Sequence, residues 1–471
     1  MDDNKHRIQC QNKKLSIPLR LSNLNVNCLN ELFQYLNISD LILLSMANLT
    51  NHKNLDRAFT AETKVTTHPY EACIRDRFLQ LDYSNNNVTN NPDCILFEKI
   101  VFHYFGTLIS KVRLYYDINY QRCNANIEQV VMEYGSALSE IGLINADISA
   151  FENISEPFQN VTKLKFDNGW LGPTFIELSK WFPNLKCLSL NETQLSDVRF
   201  IRQENPNLIE LSLKNKCLCE CSRMNPNVLA DNVLHYTIGN LNLKQILALV
   251  PNLKRLSLCH DKENTIFEQD RKPYHFLIQI DFDLLLFITN SLMQLCYLKL
   301  NIIELSLFRI PTCQVAFNEL KTLVIETSNT NQLTQLNITA DELNHLEIIV
   351  HSFIQDVKLL ANFVVRFERI EYLSIGHHPV DLKDDDFIHM INSLMKLKAL
   401  QIALYKNKFT DDLVYIIEKF NRLHTVLVSC IEVAPTDREL FLEFVNENNM
   451  LKRKNWSGSC IFGGFEFKKN A

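Results

Sequence analysis

Residues Pro183–Lys214 read PNLKCLSLNETQLSDVRFIRQENPNLIELSLK and hold one phrase twice, Leu185-Lys-Cys-Leu188-Ser-Leu190 and Leu208-Ile-Glu-Leu211-Ser-Leu213. Each copy follows Pro-Asn, and their first leucines stand 23 residues apart. Recurrence at that length marks a solenoid of similar units stacked on one another. Downstream the phrase returns as Leu253-Lys-Arg-Leu256-Ser-Leu258, again after Pro-Asn, and as Ile302-Ile-Glu-Leu305-Ser-Leu307. Upstream the same spacing runs through Val161, Leu164 and Phe166, then Leu138, Ile141 and Leu143, and degenerately Ile109, Val112 and Leu114.

The gap from Leu208 to Leu253 holds a weak copy at Val233, Tyr236 and Ile238, and that from Leu253 to Ile302 holds another at Leu277, Ile280 and Phe282. From Leu320 the spacing tightens, with Leu320-Leu323-Ile325, Leu333-Leu336-Ile338 and Leu343-Leu346-Ile348 only 13 and 10 residues apart. These units are expected to lack their helices. Full-length units resume at Ile370-Leu373-Ile375, Leu397-Leu400-Ile402 and Leu423-Val426-Val428. Phe175–Phe182, Ile388–Leu394 and Leu413–Phe420 have helical spacing. Each unit is therefore a short strand and a helix, which cannot bury its faces alone and must stack on neighbours. Residues 109–430 are expected to form an α/β solenoid, a curved horseshoe whose strands line the concave face.

In such an array the residues between the repeated apolar ones point outward. They include Lys186 and Ser189, Glu210 and Ser212, Lys254 and Ser257, Glu304 and Ser306, and Gln401. Their mixed polarity suits a protein surface better than a lipid or an apolar small molecule. Residues 431–471 are read as a cap and tail: a helix carrying Phe441, Leu442 and Phe444, then a strand around Cys460–Phe467. Leaving Ile461, Phe462, Phe465 and Phe467 in water would be costly.

The chain has 471 residues, too many for one ordinary core. Its net charge of -6 gives no general reason to expect nucleic acid or an anionic membrane as partner. The first twenty residues lack an apolar core of signal-peptide length, and no apolar stretch reaches membrane-spanning length. The greasiest, Phe282–Leu298, is broken by Asp283, Asn290 and Gln294. A cytosolic or nuclear protein is implied, in which the 14 cysteines are reduced thiols.

Residues 16–60 carry a compact helical pattern, with Leu24, Leu29, Leu32, Phe33 and Leu36 on one side, and Leu41, Leu44 and Ala47 continuing after Asn37–Ser39. This segment resembles an F-box, the helical module that docks on the Skp1 adaptor of cullin-based ubiquitin ligases. Leu24 stands at the leading leucine of the family phrase, Leu29 in its aliphatic pair, Leu32 and Phe33 at its aliphatic-Phe pair, Leu36 at the helix end, and Asp40-Leu41 at its Asp-Leu. Asn25 occupies the family's proline position and Asn27 its acidic one. Residues 109–430 in turn resemble the longer leucine-rich repeats of F-box and ribonuclease-inhibitor-like proteins. Together these resemblances imply a substrate receptor that binds a Skp1-like adaptor, and through it a cullin, by way of Leu24, Leu29, Leu32, Phe33, Leu36 and Leu41. The repeats would hold a protein target near the ubiquitin-loaded enzyme. A second reading makes Leu24–Leu49 merely helices that cap a repeat scaffold without a ligase link. Residues 61–108, with helices expected at Tyr70–Leu79 and Ile95–Leu108, join the first module to the array.

No motif for nucleophilic, phosphate-cradling or zinc-protease chemistry occurs, so neither catalysis nor a cofactor is expected. Cys217-Leu-Cys219-Glu-Cys221 lacks the spacing and partners of a zinc site. Consecutive His377 and His378 diverge, and Asp384–Asp386 fit the start of a helix near Phe387 without any metal.

Overall fold

The computed structural model describes residues 63–67, 70–75, 78–82, 110–115, 137–144, 156–167, 170–171, 178–191, 194–195, 206–215, 240–260, 280, 282–302, 314–352, 354, 356–376, 378–405, 409–431, 454–461 and 464–469. The chain divides into two compact units, Met1–Glu140 and Ile141–Ala471. The F-box-like segment 16–60, the expected helix Ile95–Leu108 and the phrase at Val233–Ile238 lie outside the described residues. So do Cys217, Cys219, Cys221, His377 and the C-terminal helix around Phe441.

In the first unit β1 (Thr63–Thr67), β2 (Tyr70–Arg75) and β3 (Phe78–Asp82) pair antiparallel in succession, and β3 then pairs in parallel with β4 (Lys111–Tyr115). The helix that the spacing predicts over Tyr70–Leu79 is therefore two strands. The β-branched run Thr63–Thr67 supplies a nearby partner, and Leu79 and Leu81 alternate with the period of a strand. Leu79 and Leu81 stand opposite Val112 and Leu114, so parallel pairing within this unit starts upstream of residue 109.

The second unit opens with β5 (Glu140–Ile144), β6 (Lys163–Asp167), β7 (Trp170–Leu171), helix α1 (Leu178–Trp181), β8 (Cys187–Asn191), β9 (Gln194–Leu195) and β10 (Glu210–Asn215). It continues through α2 (Asn240–Ala248), β11 (Arg255–His260), α3 (Phe282–Ser291), β12 (Tyr297–Asn301), β13 (Val315–Ala316), β14 (Thr322–Thr327), β15 (Ile338–Thr339) and β16 (His345–Val350). It ends with α4 (Val357–Val364), β17 (Tyr372–Gly376), α5 (Asp385–Ser393), β18 (Ala399–Tyr405), α6 (Phe409–Lys419), β19 (Thr425–Ile431), β20 (Trp456–Ile461) and β21 (Gly464–Lys469). Strands β6, β8, β10, β11, β12, β14, β16, β17, β18 and β19 pair in parallel, each with the next. The short strands form separate parallel pairs, β7 with β9 and β13 with β15.

Register holds because the same apolar positions meet at every step. One column runs Leu164, Leu188, Leu211, Leu256, Leu298, Leu323, Leu346, Leu373, Leu400 and Val426, and all of these are fully buried. Burying each leucine contributes about 1.5–3 kcal/mol, and a one-residue slip would expose the whole column. The entry to each strand adds a second lock. The amides of Lys186 and Cys187 both donate to the Thr162 carbonyl, those of Ile209 and Glu210 to Lys186, and those of Lys254 and Arg255 to Ile209. This shared acceptor recurs as far as His424 and Thr425 on Lys398. Hence insertions of different length between strands leave the register unchanged.

Asparagine of the Pro-Asn phrase has a role its recurrence alone does not reveal. Asn184 Nδ2 donates to the Gln159 carbonyl, Asn207 to Pro183 and Asn252 to Pro206, each reaching back one turn of the array. Further along, the same position carries Arg369, which forms an ion pair with Glu342 of the preceding unit.

Three copies of the phrase do not enter the ladder where the spacing predicts. In the unit after β11 the ladder strand is β12, carried by Leu295, Leu298 and Leu300, rather than Ile302-Leu305-Leu307. Phe282, expected in a strand, begins α3, whose Leu284, Leu285 and Ile288 are buried. Likewise β14 pairs directly with β16, so Leu333-Leu336-Ile338 is not a strand of the ladder. These residues belong to a 3-10 helix at Thr330–Gln335 and to β15, a full-length unit with a 3-10 turn in place of an α-helix. Gln332 Oε1 fastens that turn, accepting from the Thr327 hydroxyl at 2.5 Å, the Ser328 hydroxyl at 2.9 Å and the Ser328 amide at 3.0 Å.

Helices α4, α5 and α6 bury apolar residues such as Phe363, Phe387 and Ile416. Asp384 caps α5 by accepting from the amides of Asp386 and Phe387, which gives the aspartate run its structural use. The expected C-terminal strand is a hairpin. β20 pairs with β21, and β21 lies antiparallel on β19, placing Phe467 opposite Val426 and Phe465 opposite Val428.

Candidate functional site

Because Leu188 and Leu190 point into the core of β8, Cys187 and Ser189 between them must face the other way. The same alternation on every ladder strand lays out two outward rows. Glu210, Arg255, Tyr297, Thr322, His345 and Tyr372 stand side by side in the first. Ser189, Ser212, Ser257, Lys299, Val324, Glu347, Ser374 and Gln401 stand in the second. From β10 to β17 the first row spans roughly 24 Å at the usual strand separation.

The predicted outward residues that are described divide between these rows and the position just before them. Ser189, Ser212, Ser257 and Gln401 are half-buried in the second row, Glu210 is half-buried in the first, and Lys186 and Lys254 are exposed at the strand entries. Glu304 and Ser306 lie outside the described residues. Their expected places in the rows are held by Tyr297 and Lys299, because β12 is the ladder strand of that unit.

Contacts join the first row across strands. Arg255 Nε lies 3.6 Å from Glu210 Oε2, and its guanidinium carbon sits 4.1 Å from the centre of the Tyr297 ring. A cation over an aromatic face is worth about 0.5–1 kcal/mol when partly exposed. Beyond Thr322, the His345 and Tyr372 rings stack with centroids 4.1 Å apart, and Tyr372 donates its hydroxyl proton to Gln401 Oε1. Below the row, Glu326 accepts from Lys299 Nζ at 2.6 Å and from Asn301 Nδ2 at 3.0 Å. Burial lifts the Tyr297 and Tyr372 phenols above their ordinary range, with Glu347 adding to both. Burial also tends to lower Lys299, but nearby Cys259 and Glu326 more than offset it and the ammonium is held above its usual range. Both tyrosines are neutral and Lys299 is charged at physiological pH.

These groups offer recognition chemistry. Tyrosine and arginine fixed by their neighbours lose little side-chain entropy on binding, and these residue types carry much of the energy of protein interfaces. Arg255, Tyr297, His345 and Tyr372 are absent from the residues singled out in the sequence, although the phrase Leu295-x-x-Leu298-x-Leu300 would have placed Tyr297. Among the described residues no three His, Cys, Asp or Glu side chains converge as a metal site requires. His378 Nε2 donates instead to the His351 carbonyl at 3.0 Å.

Burial holds the His345 imidazole below its ordinary value of 6.5. The unfolded chain therefore takes up the proton first as pH falls. Stability from the neutral stacked ring is full above about 6.5 and is lost as pH drops through the lower folded value. The urea midpoint should fall from pH 7 to about pH 5 less steeply in His345→Gln than in the parent. Equal slopes would remove His345 as a source of the acid sensitivity.

No protein-family model matches the chain. No curated protein matches it in sequence. Among solved structures it is similar to human 5T4 (Wnt-activated inhibitory factor 1, trophoblast glycoprotein), at 14% identity and a TM-score of 0.32, over 69% of this chain and 85% of that one.

Proposed function

We propose that this chain is a non-catalytic protein-binding scaffold, and more finely the substrate-recognition subunit of a Skp1-cullin-F-box ubiquitin ligase. The observation that carries the scaffold reading is the outward row from Glu210 to Tyr372, which puts a cation–aromatic contact and a stacked aromatic pair in register along one sheet face. A row of that length suits a polypeptide better than a small molecule, which wants an enclosing pocket. What supports the ligase reading is the resemblance of residues 16–60 to an F-box, with Leu24, Leu29, Leu32, Phe33, Leu36 and Leu41 as the adaptor-facing set. On this reading the protein works in the cytosol or nucleus and needs no cofactor. A scaffold with no ligase link is the second reading, favoured by Asn25 at the position where the family has proline.

Purified full-length protein is titrated with purified Skp1, with Leu32→Ala/Phe33→Ala beside it. Loss of two docking side chains should weaken capture at least ~30-fold while circular dichroism is unchanged. Undiminished capture by the folded double variant would remove this docking face. No capture by the folded parent would leave the scaffold alone. The face itself is tested by a photo-crosslinking residue in place of Thr322, which should label a partner when the ladder is occupied.

A further inference from the structure

Lys186, Lys254 and Lys321 occupy one register position, the residue before β8, β11 and β14. All three are exposed, and none forms an ion pair with a described residue. The intervening strands, β10 and β12, have Ile209 and Cys296 there, and Ile209 is itself 36% exposed. The column thus alternates ammonium and apolar groups on successive strands. Cations of the neighbouring rows are already matched, Arg255 by Glu210 and Lys299 by Glu326. Among the described residues the lysine column thus carries positive charge with no paired carboxylate, in a chain whose net charge is -6.

From this column we infer the chemistry of the partner: an acidic peptide segment in the polyproline II conformation, laid across β8–β14 with a carboxylate at every third residue. The inference builds on the reading of this face as protein-binding. Alternate strands are separated by about 9.4–9.8 Å. A polyproline II segment returns to the same side every three residues and rises about 9.3 Å in doing so. A β-strand presents one side every two residues, about 6.6 Å, and a helix every seven, about 10.5 Å, so both drift out of phase with the lysines. A polyproline II segment also loses little conformational entropy on docking. A continuous polyanion such as single-stranded nucleic acid fits less well, because Glu210, next to Ile209 of the column, sets a carboxylate beside it.

The test is a titration of the full chain with a fluorescent peptide made of Glu-Pro-Pro repeats. Lys186→Glu/Lys254→Glu/Lys321→Glu should lower affinity about tenfold or more and flatten its salt dependence, while the triple Lys→Arg variant should stay within about twofold. A peptide of equal composition with its carboxylates clustered should bind several-fold more weakly. An unchanged affinity in the charge-reversed protein, equal binding of the clustered peptide, or binding of a single-stranded oligonucleotide in preference to the peptide would each overturn the inference. If the peptide is ignored while the Thr322 crosslinker still labels a partner, the acidic segment falls and the protein-binding face stands. If the peptide is ignored and the crosslinker labels nothing, both fall.

Discussion

Phe467→Ala is expected to cost about 3–5 kcal/mol, the range for removing a large ring from a core that cannot collapse around the void. Phe467 is fully buried, Phe465 is 2% exposed, and their rings lie 6.4 Å apart. They extend the two apolar columns of the ladder past Val426 and Val428, so the last parallel strand meets apolar neighbours where it would otherwise meet water. A repeat array without such a cap exposes a core face and an unpaired strand edge, which invites fraying and association between chains. The amide of Lys469 donates to the His424 carbonyl, the acceptor position used at each earlier strand entry. Loss of Phe467 should therefore be felt first in β19. Hydrogen exchange should show the β19 amides losing protection ahead of those in β11, with light scattering rising as they do. A cost below about 1 kcal/mol with β19 still protected would show that the array is closed by something other than this hairpin.

Strand positions were legible wherever the phrase had clear flanks, as at Leu185, Leu208, Leu253, Ile370, Leu397 and Leu423. Physical ambiguity explains the failures. The spacing of three and then two residues fits a strand entered by a tight turn, but it also fits a turn of helix, and Leu333-Leu336-Ile338 falls into that second class. At Phe282–Leu298 a helix and the following strand run together as one apolar stretch, which hides the boundary that β12 needs. The outward residues were partly legible, since alternation alone places Ser189 or Gln401. Their chemistry was not. Arg255 and Tyr297 are distant in sequence, and only the pairing of β11 with β12 makes them a cation and its aromatic partner. The cap hairpin was half legible, because stranded phenylalanines demand cover but do not say which strand provides it.

Leu298→Ala should cost about 2–5 kcal/mol and discriminate between the two phases open to this part of the chain. In the ladder Leu298 stands between Leu256 and Leu323, all three fully buried. Truncation would leave a void lined by neighbours on both sides, and strands held by a shared-acceptor pattern cannot move together to fill it. Loss of protection should spread into β11 and β14, since each has β12 as a neighbour. Leu286→Ala is the control, on α3 twelve residues upstream and with 40% of its surface exposed. Alanine is the better helix former and less burial is lost, so this change should stay within about 1 kcal/mol. The contrast carries the argument, because a protein in which this apolar stretch packed as one undivided helix would not separate the two leucines so sharply. Similar costs at both positions, or an exchange change that spared β11 and β14, would place the strand of this unit elsewhere. With it would go Tyr297 and Lys299 from the open face, and the outward row would be broken at its centre.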